Sequence, residues 1–298
     1  MSQTIAIAGA GGLGKHIVDA ILEDGKHKLI VLSRGTNQEL ADRGVEVRTV
    51  DYSSVESLTK GVAGVNVIIS FIAERSETNS QINLYHAAVA ARVKRFIPSE
   101  WALDVQKYDD KPSLYEFKRK FRQFLADQNK IEYTLVCNGL FMNYLLPAGT
   151  KKYLQDVDIN ISIEKRTANV PGTGNQPMVL TMAEDIGKAV VWLIDDPKPW
   201  PKYTYIKGTV TSWNELIKYG EEVTGEKFDV SYVPLETLQA NYEAAAASGN
   251  FLKKFFAEIG VMYATDGVLD LPDNEDPSLF EGIRFTQVKE LIDITYKK

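Results

Sequence analysis

Four glycines lie within six residues near the amino terminus, between an apolar run and a helical pattern. They follow the run TIAIAG and precede apolar residues at helical spacing from Leu13 to Glu23. In a G-x-G-x-x-G turn the first glycine permits the bend, the second lets backbone approach a pyrophosphate, and the third lets helix pack on strand. The alternative is a tight turn with no ligand. We predict a dinucleotide-binding turn formed by Gly9, Gly11, Gly12, Leu13 and Gly14.

The first half of the chain alternates strand patterns with helix patterns. The fourth strand is apolar throughout, as expected for a strand buried on both faces. Alternation of this kind predicts right-handed crossovers and therefore an α/β fold with a Rossmann-type, doubly wound parallel sheet. The predicted strands are TIAIAG, KLIVLSR, VEVRTVD, VNVIISFI, VKRFIPS and IEYTLVCN, and the later helices span Gln81 to Arg92 and Ser113 to Gln128.

The second half is less regular. Short strand-like segments (VDINISI, KYTYIKG and FDVSYV) are mixed with helical patterns from Thr211 to Val223 and from Leu235 to Ala247. We therefore predict a Rossmann domain that binds the dinucleotide over residues 1–152. Residues 153–298 are expected to form mainly a smaller α+β substrate-binding lobe, with some segments returning to the Rossmann sheet.

Charge and residue counts narrow the class of protein. The formal net charge of −6 does not favour binding to a nucleic-acid backbone. The single cysteine fits a reducing compartment, and three scattered histidines show no spacing typical of a metal site. No apolar run is long enough to span a membrane, and the amino terminus does not resemble a secretory signal. We expect a soluble, cytoplasmic protein with no nucleic-acid, membrane or metal partner. A homodimer is an open alternative for its oligomeric state.

The end of the second strand indicates which dinucleotide is bound. NAD enzymes usually carry an acidic residue there for the ribose 2′-hydroxyl, whereas this strand ends in Ser33 and Arg34. An arginine can bind a 2′-phosphate bidentately, so we predict NADPH/NADP as cofactor; the alternative is a solvated arginine. Asp51, after the third strand, either lies near the adenine or caps a helix beginning at Ser53 or Ser54.

Further candidates follow the later strands, because open α/β sheets bind ligands at the carboxyl ends of their strands. Aromatic and Met side chains there suggest an apolar pocket for a flat aromatic or polyketide-like substrate, although packing between the lobes explains them equally well. The candidates for the cofactor are Ser70, Phe71 and Asn138, and those for the substrate are Trp101, Phe141, Met142 and Tyr144.

Several of these stretches resemble a known family. The glycine loop, the Ser33-Arg34 strand end, VKRFIPSEWALD, YEFKRKFRQFL and YTLVCNGLFMNY are similar to the NmrA-like and isoflavone-reductase-like branch of atypical short-chain dehydrogenases/reductases. DIGKAVVWLIDDP and SWNELIKYGEEVTGEKF extend the resemblance into the second half. One departure is the glycine loop, which is one residue shorter than the usual G-x-x-G-x-x-G of the family.

The resemblance implies a role for one lysine. In reductases of this family, the lysine that opens the basic helix is the catalytic base or proton relay, and Lys118 matches it. A lysine near the carboxyl edge of the sheet can also hydrogen-bond the nicotinamide ribose, so Lys118 counts as a cofactor-binding candidate too. The alternative is a solvated lysine, since Arg119, Lys120 and Arg122 follow closely. Tyr115, three residues before it, is a candidate substrate donor or a packing residue.

The resemblance implies an NADPH-dependent oxidoreductase of secondary metabolism. The expected reaction is hydride transfer to a carbonyl, imine or conjugated double bond of an aromatic or polyketide-like small molecule. Two alternatives remain open. One is an NmrA-type regulator that senses dinucleotides without turnover, against which Lys118 argues. The other is a non-redox, cyclase-like enzyme that uses the same pocket.

Overall fold

The computed structural model describes residues 1–72, 79–104, 106, 115–157 and 159–297. Its strands are β1 (Thr4–Ala8), β2 (Lys28–Ser33), β3 (Glu46–Thr49), β4 (Val67–Ser70), β5 (Arg95–Ile97), β6 (Glu132–Tyr133), β7 (Leu135–Cys137), β8 (Leu140–Phe141), β9 (Ile161–Ser162), β10 (Thr167–Pro171), β11 (Met178–Thr181), β12 (Tyr203–Tyr205), β13 (Thr209–Thr211) and β14 (Asp229–Val233). Its helices are α1 (Gly12–Asp24), α2 (Gln38–Asp42), α3 (Val55–Gly61), α4 (Ser80–Ala90), α5 (Glu116–Ala126), α6 (Ala183–Asp195), α7 (Trp213–Thr224), α8 (Leu235–Ala247), α9 (Phe251–Ala264) and α10 (Val288–Tyr296).

A six-stranded parallel sheet in the order β3-β2-β1-β4-β5-β6 forms the centre of the first half. The order reverses between β1 and β4, so the connections after these two strands leave in opposite directions and open a crevice at their carboxyl ends. The predicted α/β class with a doubly wound parallel sheet is confirmed.

Strand β1 shows why both faces of this sheet are covered by helices. Ile5 and Ile7 point into one apolar core, which includes side chains of α1 and α6. Ala6 and Ala8 point into the opposite core, with side chains of α3, α4 and α5. Because successive side chains of a strand face opposite ways, an uninterrupted apolar strand needs helices on both sides.

The last predicted strand of the first half is divided in two. β6 pairs with β5, whereas β7 pairs in parallel with β12 from the second half of the chain. Thr134 lies between the two short strands, and its hydroxyl is 2.7 Å from that of Thr204 inside the protein. The prediction of one continuous strand was therefore wrong, because the segment changes its pairing partner at Thr134.

Two predicted helix ends also differ from the structure. Helix α4 ends at Ala90, and Arg92 has a φ of 60°, which is incompatible with continuing the helix. Helix α5 runs from Glu116 to Ala126, whereas Ser113 and Leu114 of its predicted first turn lie outside the described residues.

The second half contributes to the central layer and supplies most of a third apolar core. Helix α6 packs against α1 so closely that a Cβ on Gly187 would lie 2.8 Å from the Cβ of Ala20. The small sheets β14-β10-β9 and β13-β11-β8 contribute to a third apolar core together with α7, α9 and α10. The domain boundary at residue 152 stays a prediction.

Candidate functional site

The turn between β1 and α1 is a close meeting of three backbone segments. Gly9 has a φ of 94°, and a Cβ on it would lie 3.1 Å from the carbonyl oxygen of Phe71, just after β4. A Cβ on Gly14 would overlap the carbonyl oxygen of Gly9. Packing within the protein therefore requires glycine at both positions.

Gly11 differs, because nothing in the described protein occupies the space beside it. Its backbone is extended, and a Cβ there would meet no atom within 4 Å. Gly11 is the N-cap of α1 and has no side chain with which to cap it, and the first turn contains no acidic residue. The free N–H groups and the positive end of the helix dipole are therefore available to an anion. This arrangement fits a pyrophosphate.

A cavity of about 540 Å³ lies over this turn. It extends from the glycine turn to the carboxyl end of β2, as a bound dinucleotide requires. Five predicted cofactor-binding residues line it, namely Gly9, Gly11, Ser33, Arg34 and Phe71. The other lining residues are Ala10, Val31, Leu32, Asn37, Tyr52, Ile72 and Ser80. The remaining cofactor candidates, Gly12, Leu13, Gly14, Asp51, Ser70, Lys118 and Asn138, are not part of this lining.

The far end of the cavity carries the guanidinium of Arg34. Arg34 is exposed and forms no ion pair within the described part of the chain. Nearby Lys15 is already paired, with its Nζ 2.8 Å from Glu39 Oε2. The hydroxyl of Tyr52 donates to the carbonyl oxygen of Leu32 at 3.0 Å, which fixes the phenol on the cavity wall. Arg34 is therefore the cation available to a phosphate at this end.

Asp51 does not cap α3, the helix after the third strand. Its carboxylate accepts from the backbone N–H of Ser53 at 2.8 Å and from the Ser53 hydroxyl at 2.7 Å, and these bonds lower its pKa. Helix α3 begins at Val55, and its N-cap is Ser54, whose hydroxyl accepts from the N–H of Ser57. The alternative of a cap by Asp51 was wrong, because Ser54 fills that position.

The loop after β5 ties three neighbouring strand ends together. The indole N–H of Trp101 donates to the carbonyl oxygen of Ser70 at 2.7 Å, and its ring stacks on Phe71 with centroids 4.8 Å apart. The backbone N–H groups of Asn138 and Gly139 donate to the carbonyl oxygen of Ala102. The loop is therefore anchored both to the end of β4 and to the segment that follows β7.

Lys118 is buried at this edge of the sheet, with 7% of its surface exposed. Its Nζ donates to the backbone carbonyl oxygen of Glu100 and lies 5.1 Å from the ring centroid of Tyr115. Burial lowers the pKa of Lys118, while the Glu100 carboxylate acts in the opposite direction. The solvated alternative for Lys118 is thus wrong, whereas Lys120 on the same helix is three-quarters exposed and pairs with Glu116.

The substrate candidates fall into two groups. Phe141 and Tyr144 are partly exposed and meet edge to face at 5.7 Å, and burial raises the pKa of Tyr144. Burial raises the pKa of Tyr115 to about 12, with smaller contributions from Glu258 and Tyr144, so its phenol is a hydrogen-bond donor at neutral pH. Met142, in contrast, is fully buried in the third core, which is the packing alternative.

Asn138 combines burial with an unused acceptor. It has no exposed surface, and its Nδ2 donates to the carbonyl oxygen of Gly139 at 3.0 Å. Its Oδ1 has no hydrogen-bond partner among the residues described. A buried acceptor without a partner is uncommon in proteins and marks a position at which a ligand donor would be stabilised.

Several residues of the site were not among the predictions. Asn37 and Tyr52 each follow the end of a parallel strand, a position that could have drawn attention to them. Glu100 and Arg122 form a buried ion pair beside Lys118, with Arg122 Nη2 and Glu100 Oε2 2.8 Å apart. Arg122 stands in a run of basic residues, so nothing in the local sequence separates it from its exposed neighbours.

Away from this edge lies the single group of side chains in the described ranges that resembles a metal site. Asp24, His27 and Asp195 converge there. However, Lys26 Nζ lies 2.9 Å from Asp24 and 2.7 Å from Asp195, so both carboxylates already contact an ammonium. The backbone N–H of Gln3 donates to His27 Nδ1 at 3.3 Å, which engages the lone pair of that nitrogen, and Nε2 lies 3.0 Å from Asp195 Oδ1. This group is a salt-bridge cluster.

No helix in the described ranges is both long enough and apolar enough to cross a lipid bilayer.

The chain is similar over most of its length to known oxidoreductases, and its fold matches that of a solved reductase. Over 297 residues the chain is 29% identical to oxidoreductase swnR of Arthroderma benhamiae, covering 96% of this chain and 95% of that protein. It is 33% identical over 237 residues to oxidoreductase BOA1 of Botryotinia fuckeliana, covering 76% and 78%. The fold matches leucoanthocyanidin reductase of Vitis vinifera in complex with NADPH, with a TM-score of 0.77, 23% identity and 98% of each chain covered.

The predicted family is confirmed by a match along nearly the whole chain. The model of the NmrA-like family matches residues 1–288, which include the glycine turn, the loop after β5, α5 and most of the second half. The chain belongs to the NmrA-like family.

Proposed function

We propose that this protein is an NADPH-dependent reductase that transfers hydride to a carbonyl, imine or conjugated double bond of an aromatic or polyketide-like small molecule. The observation that carries the proposal is Lys118, a buried lysine with a lowered pKa at the carboxyl edge of the sheet. A lysine is rarely buried without a role, and perturbed lysines are common acid–base groups of enzymes. The names of the relatives swnR and BOA1 support an oxidoreductase.

The cofactor cavity supports the choice of NADPH. The free N–H groups at Gly11 and the start of α1 are suited to the pyrophosphate, because the cavity leaves room for it there. Arg34 is suited to the 2′-phosphate, because its guanidinium has no ion pair within the described ranges and no acidic residue precedes it at the strand end. When bound, NADPH supplies the hydride.

Lys118 would supply the proton that accompanies this hydride. Reduction of a carbonyl or imine adds a hydride to carbon and a proton to the oxygen or nitrogen. Reduction of a conjugated double bond places the proton on the resulting enolate. An ammonium whose pKa is lowered by burial donates a proton more readily than an exposed lysine does. Its hydrogen bond to the carbonyl oxygen of Glu100 holds the nitrogen in one place.

Aromatic side chains support a flat substrate. Three aromatic side chains lie near this edge: Tyr115 at the start of α5, and Phe141 and Tyr144 at and just after β8. Tyr263 of α9 adds a fourth ring. Burial raises the pKa of the Tyr263 phenol, with smaller contributions from Tyr115 and Tyr144. Aromatic rings stack on planar apolar ligands, and phenols that remain protonated can donate hydrogen bonds to them.

A screen for NADPH oxidation with aromatic ketones, enones and imines as acceptors tests the proposal. We expect turnover with at least one acceptor class, and turnover lower by about a hundredfold or more when Lys118 is replaced by Ala. If no acceptor is reduced but NADPH changes the affinity for a protein partner, the sensor hypothesis replaces this one. Product formed without NADPH consumption would instead establish a non-redox reaction in the same pocket.

A further inference from the structure

Two residues of helix α5, one turn apart, contact the same residue of the loop after β5. Lys118 Nζ donates to the backbone carbonyl oxygen of Glu100. Arg122 holds the carboxylate of Glu100, with Nε and Nη2 at 2.9 Å and 2.8 Å from Oε2. Side chains four residues apart lie on one face of a helix, so the lysine and the arginine approach Glu100 together.

The ion pair of Glu100 and Arg122 is deeply buried, and Arg122 also contacts a second carboxylate, that of Asp104. Glu100 has no exposed surface, and Arg122 and Asp104 are 8% and 4% exposed. Arg122 Nη1 lies 3.4 Å from Asp104 Oδ1, and the hydroxyl of Tyr205 donates to Asp104 Oδ2 at 3.2 Å. A buried ion pair contributes little net stability compared with apolar residues of the same size. Its presence therefore calls for another explanation, and the position of Lys118 supplies one.

The backbone on either side of Glu100 is also fixed. Its own N–H donates to the carbonyl oxygen of Pro98 at 2.8 Å. Trp101 is bound to the carbonyl oxygen of Ser70, and the carbonyl oxygen of Ala102 accepts from two N–H groups after β7. These contacts restrain the backbone on both sides of Glu100. The bond between its carboxylate and Arg122 restrains the residue itself.

We propose that Glu100, held by Arg122, is the positioning residue for Lys118: the ion pair fixes the carbonyl oxygen that receives the lysine, and the Glu100 carboxylate favours the lysine ammonium while the Arg122 guanidinium opposes it. The proposal rests on the role of Lys118 in the proposed function. Glu100 does not touch the reacting atoms. Its effect reaches them through the place and the protonation of the lysine nitrogen.

The charges around Lys118 determine in which direction its pKa should move when Glu100 or Arg122 is replaced. Burial lowers the pKa of Lys118, Glu100 and Cys137 raise it, and Arg122 lowers it. Burial raises the pKa of the Cys137 thiol to about 12, so the thiol is neutral near pH 7. The Tyr115 ring covers the ammonium and carries no charge there. Removing the Glu100 charge must therefore lower the pKa of Lys118, and removing the Arg122 charge must raise it.

The test reads the ionisation of Lys118 directly, without cofactor or substrate. Protein labelled with ¹³C and ¹⁵N at lysine is titrated by NMR, and the Lys118 Cε–Nζ resonance is assigned by its absence in Lys118→Met. We expect Glu100→Gln to move the midpoint down by about one pH unit and Arg122→Met to move it up by about as much, the scale for a charge within a few ångströms. The double variant should titrate near the parent.

A matched control uses the exposed ion pair on the same helix. Glu116 and Lys120 are four residues apart and in contact at 2.8 Å, but both are well exposed. Glu116→Gln should leave the Lys118 midpoint unchanged, because solvent screens its charge. If Glu100→Gln also leaves the midpoint unchanged and only lowers the thermal unfolding temperature, the pair is purely structural and the proposal is overturned.

A third variant, Arg122→Lys, tests the proposal if Glu100→Gln and Arg122→Met fail to fold. It retains the positive charge but loses the planar fork that grips Glu100 and reaches Asp104. We expect the Lys118 midpoint to stay near the parent value, while turnover in the acceptor screen falls by about tenfold to a hundredfold because the lysine is misplaced. Unchanged turnover would refute the positioning role.

The experiments distinguish failure of the proposed function from failure of the positioning role of Glu100. Turnover that survives Lys118→Ala removes the role of the lysine, whatever the titrations show. Loss of turnover in Lys118→Ala, together with normal titration and turnover in the Glu100 and Arg122 variants, removes only the positioning proposal.

Discussion

Trp101 stacks on Phe71 with ring centroids 4.8 Å apart and an interplanar angle of 17°. Phe71 lines the cofactor cavity, and its carbonyl oxygen would lie 3.1 Å from a Cβ on Gly9. Trp101 follows Glu100, to which Lys118 donates. A single stacked pair therefore joins the wall of the cofactor cavity to the loop that carries the lysine contact.

The first prediction follows from this pair. Trp101→Phe keeps a ring for stacking and loses the hydrogen bond to Ser70, so the free energy of unfolding should fall by about 1 kcal/mol. Trp101→Ala removes both, so about 3 kcal/mol should be lost, and NADPH should bind more weakly because Phe71 is no longer supported. Denaturant unfolding and NADPH titration measure the two effects.

A tryptophan elsewhere in the fold provides the control. Trp192 is partly buried on α6 and meets Phe280 edge to face at 5.5 Å, away from the cofactor cavity. Trp192→Ala should lower stability without changing NADPH affinity. Equal losses of NADPH affinity in the Trp101 and Trp192 variants would show that only general destabilisation is at work.

The second prediction concerns the choice between NADPH and NADH. Arg34→Asp should abolish or invert a preference for NADPH that we expect to be about tenfold or more, because a carboxylate repels a 2′-phosphate. Arg92→Asp makes the same charge change at an exposed residue of the opposite edge and should leave the preference intact. Calorimetric titration with both cofactors measures it. Equal affinities of the unmodified protein for the two would refute the assignment.

The third prediction uses two glycines of one turn. At Gly11 a side chain would enter open space, so Gly11→Val should fold and melt cooperatively but fail to bind NADPH. At Gly14 even a methyl group would overlap the carbonyl oxygen of Gly9, so Gly14→Ala should lower the unfolding temperature. Calorimetric unfolding and NADPH titration of both variants separate the effects. NADPH binding undiminished in Gly11→Val would exclude the pyrophosphate from this position.

The part of the site predicted from the sequence is the part set by local spacing. The glycine turn, the basic strand end and the apolar strands are properties of consecutive residues, so pattern alone located them. The pairing of Glu100 with Arg122 depends on how α5 lies against the loop after β5. In the sequence EFKRKFRQFL every basic residue suits a solvated helix face, and only the packing separates buried Lys118 and Arg122 from exposed Lys120.

The second half was harder to predict for a related reason. Its strands are two to five residues long and take partners from distant parts of the chain, as β12 does with β7. A strand of three residues shows no clear alternation, so its pairing is decided by side chains that meet only in the fold. Thr134 and Thr204 illustrate this, since their contact could not be inferred from either segment alone.

The fourth prediction concerns acid stability. His16 on α1 is buried against Tyr153, with its Nδ1 3.4 Å from Glu184. Burial lowers its pKa, so below about pH 6.5 the unfolded chain binds a proton that the folded protein resists. Stability should therefore fall as the pH decreases from about 6.5.

Replacement of His16 tests that window. In His16→Leu the decrease in unfolding temperature between about pH 7 and 5 should become smaller, because the group that resists protonation is gone. His86→Leu, at an exposed residue of α4, serves as the control and should follow the parent. An identical pH dependence of the parent and His16→Leu would show that His16 does not contribute.

The last prediction concerns Lys118 itself. Lys118→Ala should reduce turnover by about a hundredfold or more, the usual effect of removing a placed acid or base, while NADPH affinity changes by at most about fivefold. Lys120→Ala, on the exposed face of the same helix, should retain turnover. If the protonated lysine is the acid, the rate of the parent should decline as the pH rises through a pKa below the ordinary lysine range, because burial favours the neutral amine. Equal rates for Lys118→Ala and Lys120→Ala would contradict the catalytic role.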